Sequence, residues 1–494
     1  MQLENFGFKR KSGILLPVSS LPSKYGIGSF GSEAHRFIDF LCDTKQKCWQ
    51  VLPLNPTSYG DSPYQSPASA SLNPYFIDLE SLHAMHLLTD EELHSSKKAA
   101  RRINYGELFC ERFNVLRLAH SRFTGGEDYA AFLEKSSAWL DTYALFMALK
   151  VHYGYRPWTT WEPQHKSYKS AIACADEFYA ECDFWKWVQY ELDREWSLVR
   201  AHAKSRGIMI IGDMPIYVAH DSADVWSNTD SFLLDENYMP RVVAGCPPDA
   251  YSEDGQLWGN PIYDWDGMRL RGFDWWLARI GRAFELYDIL RIDHFRGFAS
   301  YYSIPYGDEN AKRGQWIEAP GLELFRTVRK AYPRAKIIAE DLGLITDDVR
   351  ELLRRTGFPG MKLLQFAFFE ENGEYLPRNY KDANCVAYTA SHDSDCTKSW
   401  AMELNGDTLR IFNKECPHND GESDTHALVR LAMQSRANLC VTPIQDLFEL
   451  TNGKGRMNTP SVPYGNWTYR MKASYDTPEL RSKIISLTLD SKRD

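Results

Sequence analysis

The sequence predicts an α/β chain folded as a (β/α)8 TIM barrel, with large insertions forming subdomains around the C-terminal face. Three observations carry this. Eight short apolar runs rich in β-branched residues recur along the 494 residues, most of them ending in polar residues or in Gly and Pro. Helical patterns lie between them, as parallel strands require. Two intervals are too long for simple crossovers. Eight buried strands alternating with helices favour a closed barrel over an open sheet.

In order, the runs are "GILLPVSS" (13–20), "CWQVLPLNP" (48–56), "IMIIGDMPIYV" (208–218), "DILRIDHF" (288–295), "AKIIAEDLG" (335–343), "GMKLLQF" (360–366), "CVAYTASHD" (385–393) and "NLCVTPIQD" (438–446). Each reads as a strand buried on both faces. "GSEAHRFIDFLCDTKQK" follows the first run as a helix, "GFDWWLARIGRAFELY" precedes the fourth, and "GLELFRTVRKAYP" leads to the fifth. "TDDVRELLRRTG" comes next, with Thr346 placed to cap its start and Gly357 to end it. Residues 1–56 then form the first part of the barrel, and 57–207 an insertion after strand 2. Strand 3 spans 208–218, a second insertion or lid 219–266, and the rest of the barrel 267–494. Residues 415–424 read as a surface loop, and "LRSKIISLTLDSKRD" as a final helix or tail.

Composition narrows the partners. The chain is 44% hydrophobic and 25% charged, enough for a large soluble core, and its net charge of -9 argues against nucleic acid. The ten cysteines show no CxxC pair, so neither a zinc site nor a disulfide framework is expected, but buried free thiols in a reducing compartment. "MQLENFGFKRKSG" lacks the apolar stretch of a signal peptide, and no apolar run approaches the ~18 residues that span a bilayer. A cytoplasmic protein with no membrane partner is expected. Many of the 15 Trp and 27 Tyr sit in polar, Gly/Pro-rich stretches. Such rings offer flat apolar faces with a polar handle, and sugars bind to faces of that kind.

Polar residues at barrel-strand C-termini point into the site. Four such ends carry carboxylates: Asp213 in "IIGDMP", Asp293 in "RIDHFRG", Glu340 in "IIAEDLG" and Asp393 in "YTASHDSD". Glycoside chemistry needs one carboxylate as nucleophile and a second as general acid/base. Arg291 stands two residues before Asp293, on the same face of a strand, where it favours an ionised carboxylate. Glu340 follows the apolar "KIIA", a wall that raises a carboxyl pKa. His392 places a hydrogen-bond donor beside Asp393. Each has a structural alternative. Asp293 with Arg291 makes an ion pair, Glu340–Asp341 a solvated turn or cap, and Asp213 a cap before Pro215. His392 and Asp393 with Asp395 make a metal set. The agreement of four carboxylates at four strand ends favours catalysis.

The chain resembles the amylomaltases, the 4-α-glucanotransferases of glycoside hydrolase family 77, in the clan of the α-amylases. The resemblance runs nearly end to end. It rests on "GILLPVSSLPSKYGIGSFG", "WQVLPLNPTSYGDSPYQSPASASLNPYFIDL", "IIGDMPIYVAHDSADVW", "GCPPDAYSEDGQLWGNPIYDW", "LRIDHFRGF", "IIAEDLG", "GMKLLQFAF", "HDSD" and "RMNTPSVPYGNW". It implies Asp293 as the nucleophile, Glu340 as acid/base, and Asp393 as the group that holds the 2- and 3-hydroxyls of the distorted donor sugar. Arg291 would orient and ionise Asp293, His294 and His392 would bond the same sugar, and Asp213 would support the donor site. Tyr59 would be a stacking ring, Tyr251, Gln256 and Trp258 would belong to a loop over the cleft, and Asn458 would be a further sugar contact. The family uses no cofactor and no catalytic metal. The resemblance implies maltooligosaccharides and α-1,4-glucans as donors and acceptors, and glucose as an acceptor. Nothing in the sequence demands more than a monomer or weak homodimer.

Departures from the family pattern are local. "SHDSD" has Ser391 and Ser394 where Thr and Asn are common, Ser461–Val462 replace "GT", and Ala250 stands where an aromatic is frequent. These bear on the hydrogen bonds around Asp393, on acceptor preference and on product size more than on the reaction. Transfer is favoured over hydrolysis where water is excluded. The rings Tyr251, Trp258, Tyr263 and Trp265 form either a lid with that effect or the core of the insertion. An α-glucan hydrolase on the same scaffold, or a glucan-binding barrel without catalysis, are the rival expectations.

Overall fold

The computed structural model describes residues 10–58, 60–98, 100–248, 253–343 and 345–494. Twelve strands lie among them: β1 (Lys11–Leu15), β2 (Cys48–Gln50), β3 (Met209–Met214), β4 (Val242–Cys246), β5 (Gln256–Pro261), β6 (Ile289–Ile292), β7 (Ser300–Pro305), β8 (Gln315–Glu318), β9 (Ile337–Ala339), β10 (Gly360–Leu363), β11 (Cys385–Tyr388) and β12 (Leu439–Pro443). β1, β2, β3, β6, β9, β10, β11 and β12 close a parallel barrel in chain order, and β12 pairs back onto β1. These are the eight apolar runs of the sequence. The fold is the expected (β/α)8 barrel with added subdomains.

The strands are shorter than the runs that predict them. β2 stops at Gln50, and Val18–Ser20 form a 3-10 turn beyond β1. A run stays apolar as it leaves the barrel rim, whereas ladder bonds end where neighbouring strands part. Within β3, Gly212 is required: a Cβ there would lie 2.1 Å from the Tyr287 ring, which packs against the strand backbone.

Between β2 and β3 the described chain is helical and irregular. Helices Glu127–His152 and Tyr179–Ser205 pack together, and the second also packs on β3 and on the helix Ser32–Asp43 that follows β1. Trp196 on it donates through Nε1 to the Leu286 carbonyl (3.0 Å), which ties it to the helix Asp274–Leu286 before β6. That last helix buttresses the site: Arg279 donates to the carbonyls of Pro215 (2.6 Å) and Ile216 (3.0 Å), just past β3.

One element was not legible in sequence. β5, β4, β7 and β8 form an antiparallel sheet, in that order, built from the interval after β3 and from residues after β6. β8, "QWIE", is exposed at every position, so it has no buried face to leave a period-2 apolar pattern. The helix Asp347–Thr356 follows Thr346 and ends at Gly357, whose φ of 67° is the left-handed conformation of a helix stop. The expected tail is the helix Pro478–Asp490. All ten cysteines are free thiols, with Cys48, Cys385, Cys396, Cys416 and Cys440 buried and Cys110 exposed. No helix among the described residues is long and apolar enough to cross a membrane.

Candidate active site

The site is set first by strand register. Asp213 on β3 and Arg291 on β6 are direct partners across the ladder. Arg291 is buried, and its Nη1 donates to both Asp213 oxygens (2.6 and 2.8 Å) and lies 2.9 Å from Asp293 Oδ1. Burial works against the guanidinium charge, but Asp213 and then Asp293 outweigh it and hold Arg291 protonated. Asp213 is no turn cap. It also accepts from the Tyr64 hydroxyl (2.8 Å).

Past β6 the chain turns sharply. His294 adopts φ 49°, ψ 49°, a left-handed conformation uncommon for a residue with a Cβ. The turn points its backbone N–H at Glu340 Oε2 (2.6 Å) at the end of β9, while the Leu342 N–H donates to Oε1 (2.9 Å). Glu340 is therefore fixed by two main-chain donors. Burial, then the negative charge of Asp293, push its carboxyl from 4.5 up to about 7. Asp341 turns inward instead of forming a solvated turn: it is buried, accepts from the Met361 N–H (2.6 Å), and packs where a Cβ on Gly360 would stand.

The third carboxylate lies on the loop after β11. Burial raises the Asp393 carboxyl, but contact with His392 Nε2 (3.3 Å) and a hydrogen bond from Asn458 Nδ2 (2.6 Å) reverse this and bring it down to about 2. For the buried His392, burial disfavours the charge and Asp393 restores it, so the net direction is up. Asp395 does not join a metal set, because Arg456 and Asn452 occupy its Oδ1. His294 goes the other way. Burial, then Arg296, lower it to about 3, leaving a neutral imidazole whose buried Nε2 has no hydrogen-bond partner among the described residues. Arg296 lays its guanidinium 3.7 Å above the Trp316 ring.

These groups border one cavity of about 300 Å3. Asp293, His294, His392, Asp393, Gln256, Trp258 and Asn458 line it, with Arg291, Asp213 and Glu340 bonded around its floor. Trp258 meets His294 edge to face at 4.8 Å and donates to Gln256 Oε1 (3.0 Å). Ten of the twelve residues expected from sequence thus converge. Tyr59 and Tyr251 lie outside the described residues. Of the lid rings that are described, Tyr263 and Trp265 are buried core, Trp265 stacking on Trp276 at 6.0 Å, and only Trp258 reaches the cavity.

Sequence reasoning missed Tyr64. Its ring lines the cavity, lies nearly parallel to the His392 ring at 5.1 Å, and its hydroxyl bonds Asp213. Tyr64 stands five residues after Tyr59 in the same loop motif, and spacing alone gives no ground for choosing between them. Trp467 and the hydrogen-bonded pair Gln65–Asn260 (3.1 Å) complete the wall.

Comparison with known proteins agrees with this geometry. A family model described as 4-alpha-glucanotransferase matches residues 16–476. A 4-alpha-glucanotransferase of Clostridium butyricum is 44% identical over 485 residues, covering 95% of this chain and 98% of that protein. One from Thermus thermophilus is 40% identical over 500 residues, covering 98% and 99%. Among solved structures, an amylomaltase of Streptococcus agalactiae in complex with acarbose superposes with a TM-score of 0.94 at 35% identity, covering 98% of this chain and all of that one. A Corynebacterium glutamicum amylomaltase, at 17% identity and a TM-score of 0.78 over 98% of this chain and 75% of its own, shares the fold.

Proposed function

Because the chain belongs to the 4-alpha-glucanotransferase family and is an enzyme of that transferase class, we propose that it works by a retaining double displacement on α-1,4-glucans. Asp293 attacks C1 of the donor sugar while Glu340 gives its proton to the leaving 4-oxygen. The glycosidic C1–O bond breaks and a β-linked ester to Asp293 forms. Glu340, now a carboxylate, takes the proton from the 4-hydroxyl of glucose or of another glucan. That oxygen attacks C1, the ester breaks, and the second inversion restores the α-linkage.

The observation that best supports this reading is the divergence of the carboxyl groups. Glu340 sits near 7 and Asp393 near 2 in one cavity. A half-protonated acid can donate at neutral pH, while an anion stabilises an oxocarbenium-like transition state. The same geometry supports the role reversal of Glu340. Its high pKa owes its second contribution to the charge of Asp293, and ester formation removes that charge. Glu340 then becomes more acidic once its proton is gone, which keeps it ionised as a base for the acceptor.

Asp393 and Asn458 bind ring hydroxyls in this reading, and His294 Nε2, without a partner among the described residues, offers a further polar contact. Tyr64, Trp258 and Trp467 provide the apolar wall that limits water at the ester. Incubation with maltotriose tests the proposal. Transfer yields glucose and a ladder of longer maltooligosaccharides with α-linkages, whereas products that are all shorter than the donor refute it in favour of hydrolysis.

A further inference from the structure

We propose that Arg456 is a positioning residue, the bolt that sets Asp393 and Asn458 against each other across the donor side of the cavity. The inference rests on the catalytic reading above. Arg456 does not line the cavity, so it acts through other residues. Its guanidinium reaches three acceptors on two different loops. Nε donates to the Asn458 carbonyl (2.6 Å), Nη2 to the Asp393 carbonyl (3.1 Å), and Nη1 to Asp395 Oδ1. It thus holds the backbones of the two residues whose side chains share the 2.6 Å bond from Asn458 Nδ2 to Asp393 Oδ1.

Asp395 is itself anchored. Asn452 Nδ2 donates to its Oδ1 (2.7 Å), and Gln365 Nε2 to its carbonyl (2.9 Å). Asn452 also accepts from the Cys396 N–H (2.8 Å), so the Asp395 side chain and the Asp395–Cys396 peptide are both held in place. On the other loop, Asn466 accepts from the Thr459 N–H (2.9 Å) and donates to the Val462 carbonyl (2.7 Å), which makes residues 459–466 a closed unit. That unit carries cavity residues Pro460 and Ser461 and adjoins Asn458 and Trp467. Arg456 is the charged connection between a closed loop and an anchored one.

Only arginine suits this place. Three acceptors spread around one plane need a planar fork of donors, and a lysine ammonium presents a single point of charge. Without the fork the loops still fold, but Asp393 and Asn458 lose their relative placement. A displacement of about 1 Å in such a site costs about 100-fold in rate.

The test uses maltotriose disproportionation, read by glucose release, with the wild-type product ladder as reference. Arg456→Ala should lose about 100-fold in kcat with KM changed by no more than about threefold, since ground-state binding is largely kept. Its thermal melt should stay cooperative. Methylguanidinium at millimolar concentration should restore part of the rate, and methylammonium should not, matching a failure of Arg456→Lys. Asp395→Asn should show the same loss, and the double variant should be no worse than either single one. Near wild-type kcat in Arg456→Ala overturns the inference. So does a loss fully matched by unfolding, a loss that methylguanidinium leaves untouched, or additive losses in the double variant. A wild-type enzyme that makes no ladder refutes the catalytic reading instead, so the two failures are distinguishable.

Discussion

Replacing Glu340 by Gln removes the proton that the leaving oxygen needs while keeping the side chain's shape and one of its two main-chain contacts, since the amide has a single acceptor oxygen. The structure sets the size of the effect. At pH 6.5 a carboxyl of the ordinary 4.5 is protonated in about 1% of molecules, while one at about 7 is protonated in about three quarters. Burial against β9 and the charge of Asp293 therefore increase the competent fraction by nearly two orders of magnitude. Losing the acid altogether should lower kcat with maltotriose by about 10²- to 10⁴-fold, or about 2.7–5.5 kcal/mol of barrier. The wild-type profile of kcat/KM follows in sign. Glu340 is active when protonated, so its contribution is full below about 7 and falls about tenfold per pH unit above it. The decisive comparison uses α-maltosyl fluoride, whose leaving group needs no proton. The Gln variant should still release fluoride in a first turnover but lack a base for the acceptor, so a glycosyl ester of intact mass should accumulate on Asp293. Equal impairment with both donors, or an alkaline limb near pH 7 that survives in the variant, would refute the assignment.

Three further outcomes are expected. Asp393→Asn should lower kcat by about 10²- to 10³-fold, as loss of one preorganised charge does, while glucan binding measured by calorimetry changes little. Arg291→Met leaves the buried Asp213 without its cation, so urea unfolding should report a loss of about 3–5 kcal/mol, partly recovered when Asp213 is also replaced by Asn. Tyr64→Phe removes the hydroxyl that Asp213 accepts at 2.8 Å, a charge-assisted bond worth about 1.5–3 kcal/mol, and should lower kcat/KM without altering the product ladder.

The sequence displayed what is local and left hidden what is tertiary. The barrel was legible because eight strands buried on both faces leave eight apolar runs, and the carboxylates were legible because each terminates such a run. The sheet β5-β4-β7-β8 was not, since its strands come from two separate intervals and β8 has no buried face. The partner of Arg291 was half legible. The two-residue period pointed to Asp293, but the bidentate contact is with Asp213, 78 positions earlier and adjacent only through strand register. Tyr64 was hidden for a similar reason: its inward placement is set by Asp213 and His392, and neither is near it in sequence.

That division explains how one chain gives related carboxylates opposite duties. Asp and Glu differ by about half a pH unit as free groups, so residue type assigns no role. Backbone geometry does. The left-handed turn at His294 brings a main-chain N–H to Glu340, but such neutral donors only partly offset burial and a neighbouring anion, and the carboxyl stays near 7. Asp393 is more exposed than Glu340, and His392 and Asn458 approach it directly, so a histidine that shares its charge outweighs what burial there is. The acid and the anion are thus separated by what stands beside each of them. The mechanism depends on loop placement as much as on the carboxylates, which is why Asn458, and the connection that holds it, matter to the chemistry.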